Sequence, residues 1–327
     1  MPDVSLHTIS LRAQHDTWEH LRAASIEATL FSSAEWLTTL ATVFDRDATA
    51  IVALQGDVCL AGIPLLTHRR GPFRVAAPLP ITLYAGILRT PGAGPLLGTM
   101  LALVERRCHF VSLSARWDEE DNQILSSRGW TTRGRQTLLV PLGDTQVLWD
   151  GYSQALRRKL RRIPVGGFLL DRDPSSRTII TMFERSYSRH RVRPPLPAAT
   201  LERWLHELRD RERAQCFAAL HPDGRVAAVR VVLRDGRTIF DWLAGADPAV
   251  APSASHWLVH TILEEYGRQG CAHFDFMGAN TPGVTDFKRS FGGTVLPYVD
   301  AVWYRPALLR HLDAMRHRGI RLRRGLQ

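Results

Sequence analysis

Cysteine is scarce in this chain: four in 327 residues, Cys59, Cys108, Cys216 and Cys271, far apart and with no Cys-x-x-Cys pair. That argues against a disulfide scaffold or a thiolate zinc site, and it makes a reducing, cytoplasmic compartment the default expectation. Long apolar runs are missing as well. None approaches the ~20 residues needed to span a bilayer, and residues 1–14 lack the basic start and apolar core of a signal peptide. The histidines include no His-Glu-x-x-His, and neither a Gly-x-Ser-x-Gly elbow nor a Ser/His/Asp order is present, so the expectation is no metal and no covalent intermediate.

Lysine is rarer still. Of 42 basic residues only Lys159 and Lys288 are lysine. A lysine ammonium is a compact charge that arginine's planar fork does not reproduce, so its retention at two places suits reactive positions. Against this, the formal charge is +10, and it is unevenly placed. Arg157, Arg158, Lys159, Arg161 and Arg162 crowd one short helix, and seven arginines follow Tyr304 against Asp313 alone. Clusters of this kind favour phosphates, nucleic acid or an anionic membrane face; a solvated helix face is the plain alternative.

With 45% hydrophobic residues the chain can build two cores of ordinary size. Hydrophobic patterning goes round twice. The first pass reads as strands 48–55, 58–67, 73–76 and 81–88, a helix 94–107, a strand 108–114, a helix 118–128 and a strand 130–141. The second reads as strands 215–221, 226–234 and 237–243, a helix 255–268, a strand 272–277, a short helix around Lys288 and a strand 294–304. Gly56-Asp57, Asp223-Gly224 and Asp235-Gly236 mark tight turns. Landmarks recur some 163 to 167 positions apart, such as Cys108-His109-Phe110 against Cys271-Ala272-His273-Phe274. Between the passes lie the basic helix, stopped by Ile163-Pro164-Val165-Gly166-Gly167, and two further helices over 175–190 and 198–213. A last amphipathic helix is expected after Pro306.

The segment from Cys271 to Gly293 is the most informative. It reads as a buried strand, a Gly/Asn/Pro loop, a helical turn carrying Lys288 and Arg289 between Phe287 and Phe291, and a Gly-Gly exit. The basic pair is a candidate anion or acyl-carbonyl site; equally, Phe287 and Phe291 at i, i+4 are ordinary helix packing. Asp241 and Trp242 end a strand, where the carboxylate suits a proton acceptor. Asp275 alternates with Phe274 and Phe276 and is a candidate to orient Lys288 or an amine. Ser253 and Ser255 are candidate caps at the start of helix 255–268.

The run Phe274-Asp275-Phe276, Gly278, Gly283 and Phe287-Lys288-Arg289-Ser290-Phe291-Gly292-Gly293 resembles the closing motif of the FemAB-like branch of the GNAT acyltransferase superfamily. Phe31 to Leu37 and the helix Leu156 to Arg162 are similar to that branch too, in the expected order. The resemblance implies a mixed α/β fold: two tandem GNAT-like units, 1–150 and 151–305, each a largely antiparallel sheet flanked by helices around a shared cleft, with a basic tail 306–327. It implies an N-acyltransferase in which an amine attacks an activated acyl group directly. Lys288 would contact the oxyanion or a phosphate from an exposed cleft position, Arg289 would support it, and Asp275 or Asp241 would handle the amine. Tyr84 resembles a position lining the acceptor pocket.

GNAT units that use acetyl-CoA usually carry Arg/Gln-x-x-Gly-x-Gly/Ala before the central helix. Ala249 to His256 lacks that loop, and Thr90 to Gly94 matches it only loosely. This departure favours aminoacyl-tRNA as donor, with no tightly bound cofactor and with the basic helix on the polyanion. The alternatives are an acetyl-CoA-dependent N-acetyltransferase, akin to the group linked to cellulose and polysaccharide biosynthesis, and a non-enzymatic basic module docking on nucleic acid or membrane. The acceptor would be a small-molecule or cell-envelope amine, with the tail touching an anionic membrane.

Overall fold

The computed structural model describes residues 4–77, 81–189, 191–280 and 282–305. The expected helix after Pro306 lies outside them. The chain divides into two compact units, one comprising Met1–Gly134 with Tyr298–Gln327, the other Arg135–Pro297.

The first unit begins with β1 (Val4–Ser10), α1 (His15–Ala24) and α2 (Ala34–Phe44). Ser33 caps α2 by accepting the Trp36 N–H at 3.1 Å, which accounts for the Ser-Ser pair ahead of the apolar run. Next come β2 (Asp47–Gln55), β3 (Val58–Arg70), β4 (Phe73–Ala76), β5 (Leu88–Arg89), α3 (Leu97–Arg107), β6 (Phe110–Arg116) and α4 (Glu119–Ser127). Strands β1 to β4 pair antiparallel in order, and β6 runs parallel to β4. Ile63, Leu101, Val104, Val111, Leu125 and Trp130 form the core under α3 and α4.

The second unit takes up β7 (Thr131–Pro141) from residue 135 onward, then α5 (Thr145–Gly151), α6 (Gln154–Arg161), β8 (Leu169–Asp171), α7 (Ser176–Arg189) and α8 (Ala198–Asp210). It continues with β9 (Ala214–Leu220), β10 (Val226–Asp235), β11 (Thr238–Ala246), α9 (Ala254–Arg268), β12 (His273–Asp275), α10 (Pro282–Arg289) and the start of β13 (Thr294–Tyr304). Its sheet order is β7-β12-β11-β10-β9-β8, with β11 and β12 parallel and the other pairs antiparallel. Helix α9 covers one face, burying Leu258, Ile262 and Leu263 against Phe217, Val232 and Phe274. Helices α7 and α8 cover the other. There Gly245 lets α7 lie close on β11, since a Cβ would stand 2.6 Å from the Met182 backbone.

Each unit is thus a mixed, largely antiparallel sheet with helices, but the compact units are not the two sequence passes. Residues 298–304 of β13 pair antiparallel with β6 in the first unit, Tyr298 opposite Arg116 and Tyr304 opposite Phe110. Residues 139–141 of β7 pair with β12 in the second. Each sheet is closed by the strand that ends the other pass, so the boundary falls at 134/135 rather than 150/151, and the first unit regains the chain at Tyr298. The predicted strand 81–88 also fails. Only Leu88–Arg89 joins a ladder, because Ile81 and Tyr84 take positive φ (58° and 55°) and fold the segment across β6 instead.

Candidate functional site

Helix α6 carries the basic cluster. Ser153 caps it, accepting the Leu156 N–H at 3.2 Å, and Leu156 and Leu160 are buried one turn apart. Two buried apolar positions in eight leave the cations outside. They do not act together. Arg157 reaches Asp150 at 3.7 Å, and Arg161 lies over the Trp149 ring at 5.5 Å. Arg158, Lys159 and Arg162 line a 570 Å³ pocket whose other walls include Phe168, Pro222 and Ser253.

Ser253 is the residue before α9, and its side chain makes no capping hydrogen bond. The Ala254 N–H donates to the Ala251 carbonyl at 3.2 Å, and no side chain caps the start of this fifteen-residue helix, which lies next to the Ser253 wall of the pocket, an arrangement that favours an anion. Ser255 faces inward and accepts from Arg230 at 3.0 Å. His256 follows. Its Nε2 stands 3.3 Å from the Lys159 ammonium, its ring packs against Phe287 and Phe291, and its buried Nδ1 has no partner in the protein. Burial, helped by Lys159 and Arg230, lowers its pKa to about 4, so the imidazole is neutral at ordinary pH.

A β-bulge opposite Val231/Val232 sets the next layer. Val231 pairs with Leu243 and Val232 with Asp241, leaving Trp242 as the extra residue. Trp242 meets Trp204 of α8 edge-on at 4.7 Å and is buried in that packing. Asp241 is buried on the α9 side and bonded to the Arg230 guanidinium, itself buried over the Phe287 ring. The other Asp241 oxygen and the Arg230 Nε have no protein partner. A carboxylate so paired is not a free proton acceptor; its first effect is to hold Arg230, and through Ser255 the first turn of α9.

Lys288 is the main departure from expectation. It is 8% exposed, not an open cleft lysine. Its ammonium donates to the Phe276 carbonyl at 2.6 Å and the Gly278 carbonyl at 2.5 Å, bracketing Met277, which has a φ of 52°. Asp275 accepts from Thr137 Oγ1 at 2.6 Å and from Met277 N–H at 2.7 Å. The two side chains thus pin the β12–α10 turn from both ends. Burial pulls the Lys288 pKa down to about 8, Asp241 and Asp275 opposing and Arg230 adding to it. Phe291 is fully buried in the same core as Phe274 and Phe276, and Arg289 is exposed, a helical step away from Lys288. Tyr84 belongs to the first unit, buried edge-on against Tyr298 at 5.0 Å.

Two site residues escaped the sequence reading. Arg230 reads as one more strand arginine, and only its flanking Ala-Ala-Val and Val-Val hinted at burial. His256 and His260 form a His-x-x-x-His spacing that the metal-free expectation passed over. The structure separates them: His260 Nδ1 meets the Tyr152 hydroxyl at 3.1 Å, and no His/Cys/Asp/Glu group among the described residues could hold a metal.

The family profile described as "Acetyltransferase (GNAT) domain" matches residues 152–289, which takes in α6, the bulge, α9 and α10. That stretch of the chain is similar to a GNAT acyltransferase domain. Solved structures agree on the fold over nearly all of the chain. FemX superposes with a TM-score of 0.72 at 12% identity, covering 94% of this chain and 99% of FemX. A tandem GNAT protein from the clavulanic acid biosynthesis pathway gives 0.57 at 10% identity, covering 92% and 98%. L-PGS from Bacillus licheniformis gives 0.52 at 12%, covering 90% and 92%. At these identities the likeness is one of fold: the mixed α/β architecture is similar to that of FemX and of the tandem GNAT protein. No curated protein matches this chain by sequence. Among the described residues no helix is long and apolar enough to cross a membrane.

Proposed function

We propose that this acyltransferase moves an aminoacyl group from aminoacyl-tRNA to an amine acceptor by direct attack. The observation that carries the reading is the pocket in which Arg158, Lys159 and Arg162 face the uncapped start of α9. Three cations and a helix N-terminus suit a donor whose acyl group travels on a phosphate-bearing carrier. The amine attacks the ester carbonyl, the ribose oxygen leaves, and the proton lost by the amine ends on that oxygen. The enzyme's contribution is placement and charge stabilisation. Arg230 and Asp241 fix α9, and Lys288 with Asp275 fixes the neighbouring turn. In this scheme these four are positioning residues, and His256 is the neutral imidazole beside the donor site. The missing Arg/Gln-x-x-Gly-x-Gly/Ala loop supports tRNA over coenzyme A.

Acetyl-CoA is the second reading, supported by the same helix N-terminus, which suits a pyrophosphate as well as a tRNA phosphate. The two are separated by incubating the protein with a panel of amines and either aminoacylated tRNA or acetyl-CoA, with products read by mass spectrometry. Transfer from tRNA alone supports the first reading; transfer from acetyl-CoA alone replaces it with the second. Transfer from neither, with no shift in melting temperature on adding either donor, overturns both.

A further inference from the structure

The donor reading leaves one feature of the second unit unused. Residues 151–170 contain five cations and no carboxylate. Directly after the cations the chain makes a tight turn: Gly167 N–H bonds the Pro164 carbonyl at 2.9 Å, and Gly166 has φ +75°, as the third position of a type II turn requires. The residue at the tip of this turn is Val165, with a relative exposure of 107%, and Leu169, four residues on at the sheet edge, is 57% exposed. Arg158, Lys159, Arg161 and Arg162 are all exposed on the helix that leads into it. An apolar side chain held out by a rigid turn gains nothing from water, and a phosphate carrier has no use for it. A bilayer has a use for both parts, since headgroup phosphates attract the cations while the interface takes up the valine.

We propose that α6 and the 163–169 turn dock this enzyme on an anionic phospholipid bilayer, Val165 entering the interface and the arginines resting on the headgroups. The surface differs from the basic tail, and its recognition rests on one property that nucleic-acid binding lacks, the apolar tip. Each cation near such a surface contributes about fivefold in partitioning, and this share fades with salt. The share due to Val165 does not.

Flotation with vesicles of phosphatidylcholine alone, or mixed with phosphatidylglycerol, tests this with the full-length protein. Binding is expected only with phosphatidylglycerol. Val165→Ser should lower the partition coefficient about fivefold and Val165→Leu should raise it, in proportion to the apolar surface offered. Neither change should move the melting temperature, because the side chain touches nothing. Binding of aminoacyl-tRNA measured on the same variants should be unchanged. Absence of binding to phosphatidylglycerol vesicles overturns the proposal, and so does equal binding by all three proteins, which would mean a general attraction to polyanions. Either result leaves the donor reading intact, and loss of tRNA binding in the wild type would leave the vesicle result standing.

Discussion

A buried ammonium that spends two of its three hydrogens on backbone carbonyls behaves as a staple. Lys288→Ala should therefore leave the Phe276 and Gly278 carbonyls short of a donor and cost stability, about 1–3 kcal/mol by urea denaturation. Lys288→Arg should not restore it, since the fork does not fit between carbonyls two residues apart. Arg230→Ala should be worse, about 3–5 kcal/mol, because Asp241 then stays buried and unpaired. Equal melting temperatures for wild type and either variant would show these groups to be solvated. His256 gives a pH signature. Its pKa is lowered to about 4 in the folded protein from an ordinary 6.5, so the unfolded chain takes up the proton first. Its contribution to stability is complete above pH 6.5 and is lost as the pH falls toward 4. His256→Asn should flatten the melting temperature over that window relative to wild type; parallel curves would exclude the shift.

Among the elements, helix α6 divides its labour. Reversing Arg158, Lys159 and Arg162 to glutamate should weaken aminoacyl-tRNA binding steeply at low salt and less at high salt, while reversing Arg157 and Arg161 should do far less. Equal losses from both sets, read by filter binding across a salt series, would mean that the pocket is irrelevant. How legible such elements were in the sequence depended on which signals are local. The Asp-Gly turns, the α9 periodicity and the stop of α6 at Ile163-Pro164-Val165-Gly166-Gly167 are written in neighbouring residues, and they were readable. The strand at 81–88 was not, because the positive φ of Tyr84 is set by packing on Tyr298, more than two hundred positions away in sequence. Lys288 was found for its surroundings, Phe287 and Phe291, yet its burial depends on where the β12 turn places two carbonyls. The Arg230–Asp241 pair needed the bulge at Trp242, which shifts register without altering composition.

At the scale of the whole molecule, the closing strands matter most. The first unit needs residues 298–304, so a fragment ending at residue 150 should keep β4 beside β6 but lack its antiparallel partner β13, and fail to melt cooperatively. Truncating the full chain after Gly293 should raise hydrogen exchange along β6, in Val111 to Ala115, before it disturbs α9. Unchanged protection there would show that the sheet is complete without β13.

The same pairing fixes an order in time. Ser114 leaves the ribosome long before Asp300, its partner across the ladder, has been made. At about 5–20 residues per second, the interval is on the order of ten to forty seconds. Through that interval the first half of the nascent polypeptide carries an open edge at β6, beside a nearly finished core. Ribosome-bound chains stalled near residue 290 should be cut readily around β6, and chains extended past residue 304 by the length of the exit tunnel should resist. A late strand therefore completes an early sheet, and the demand for chaperones should fall on the residues made before β13.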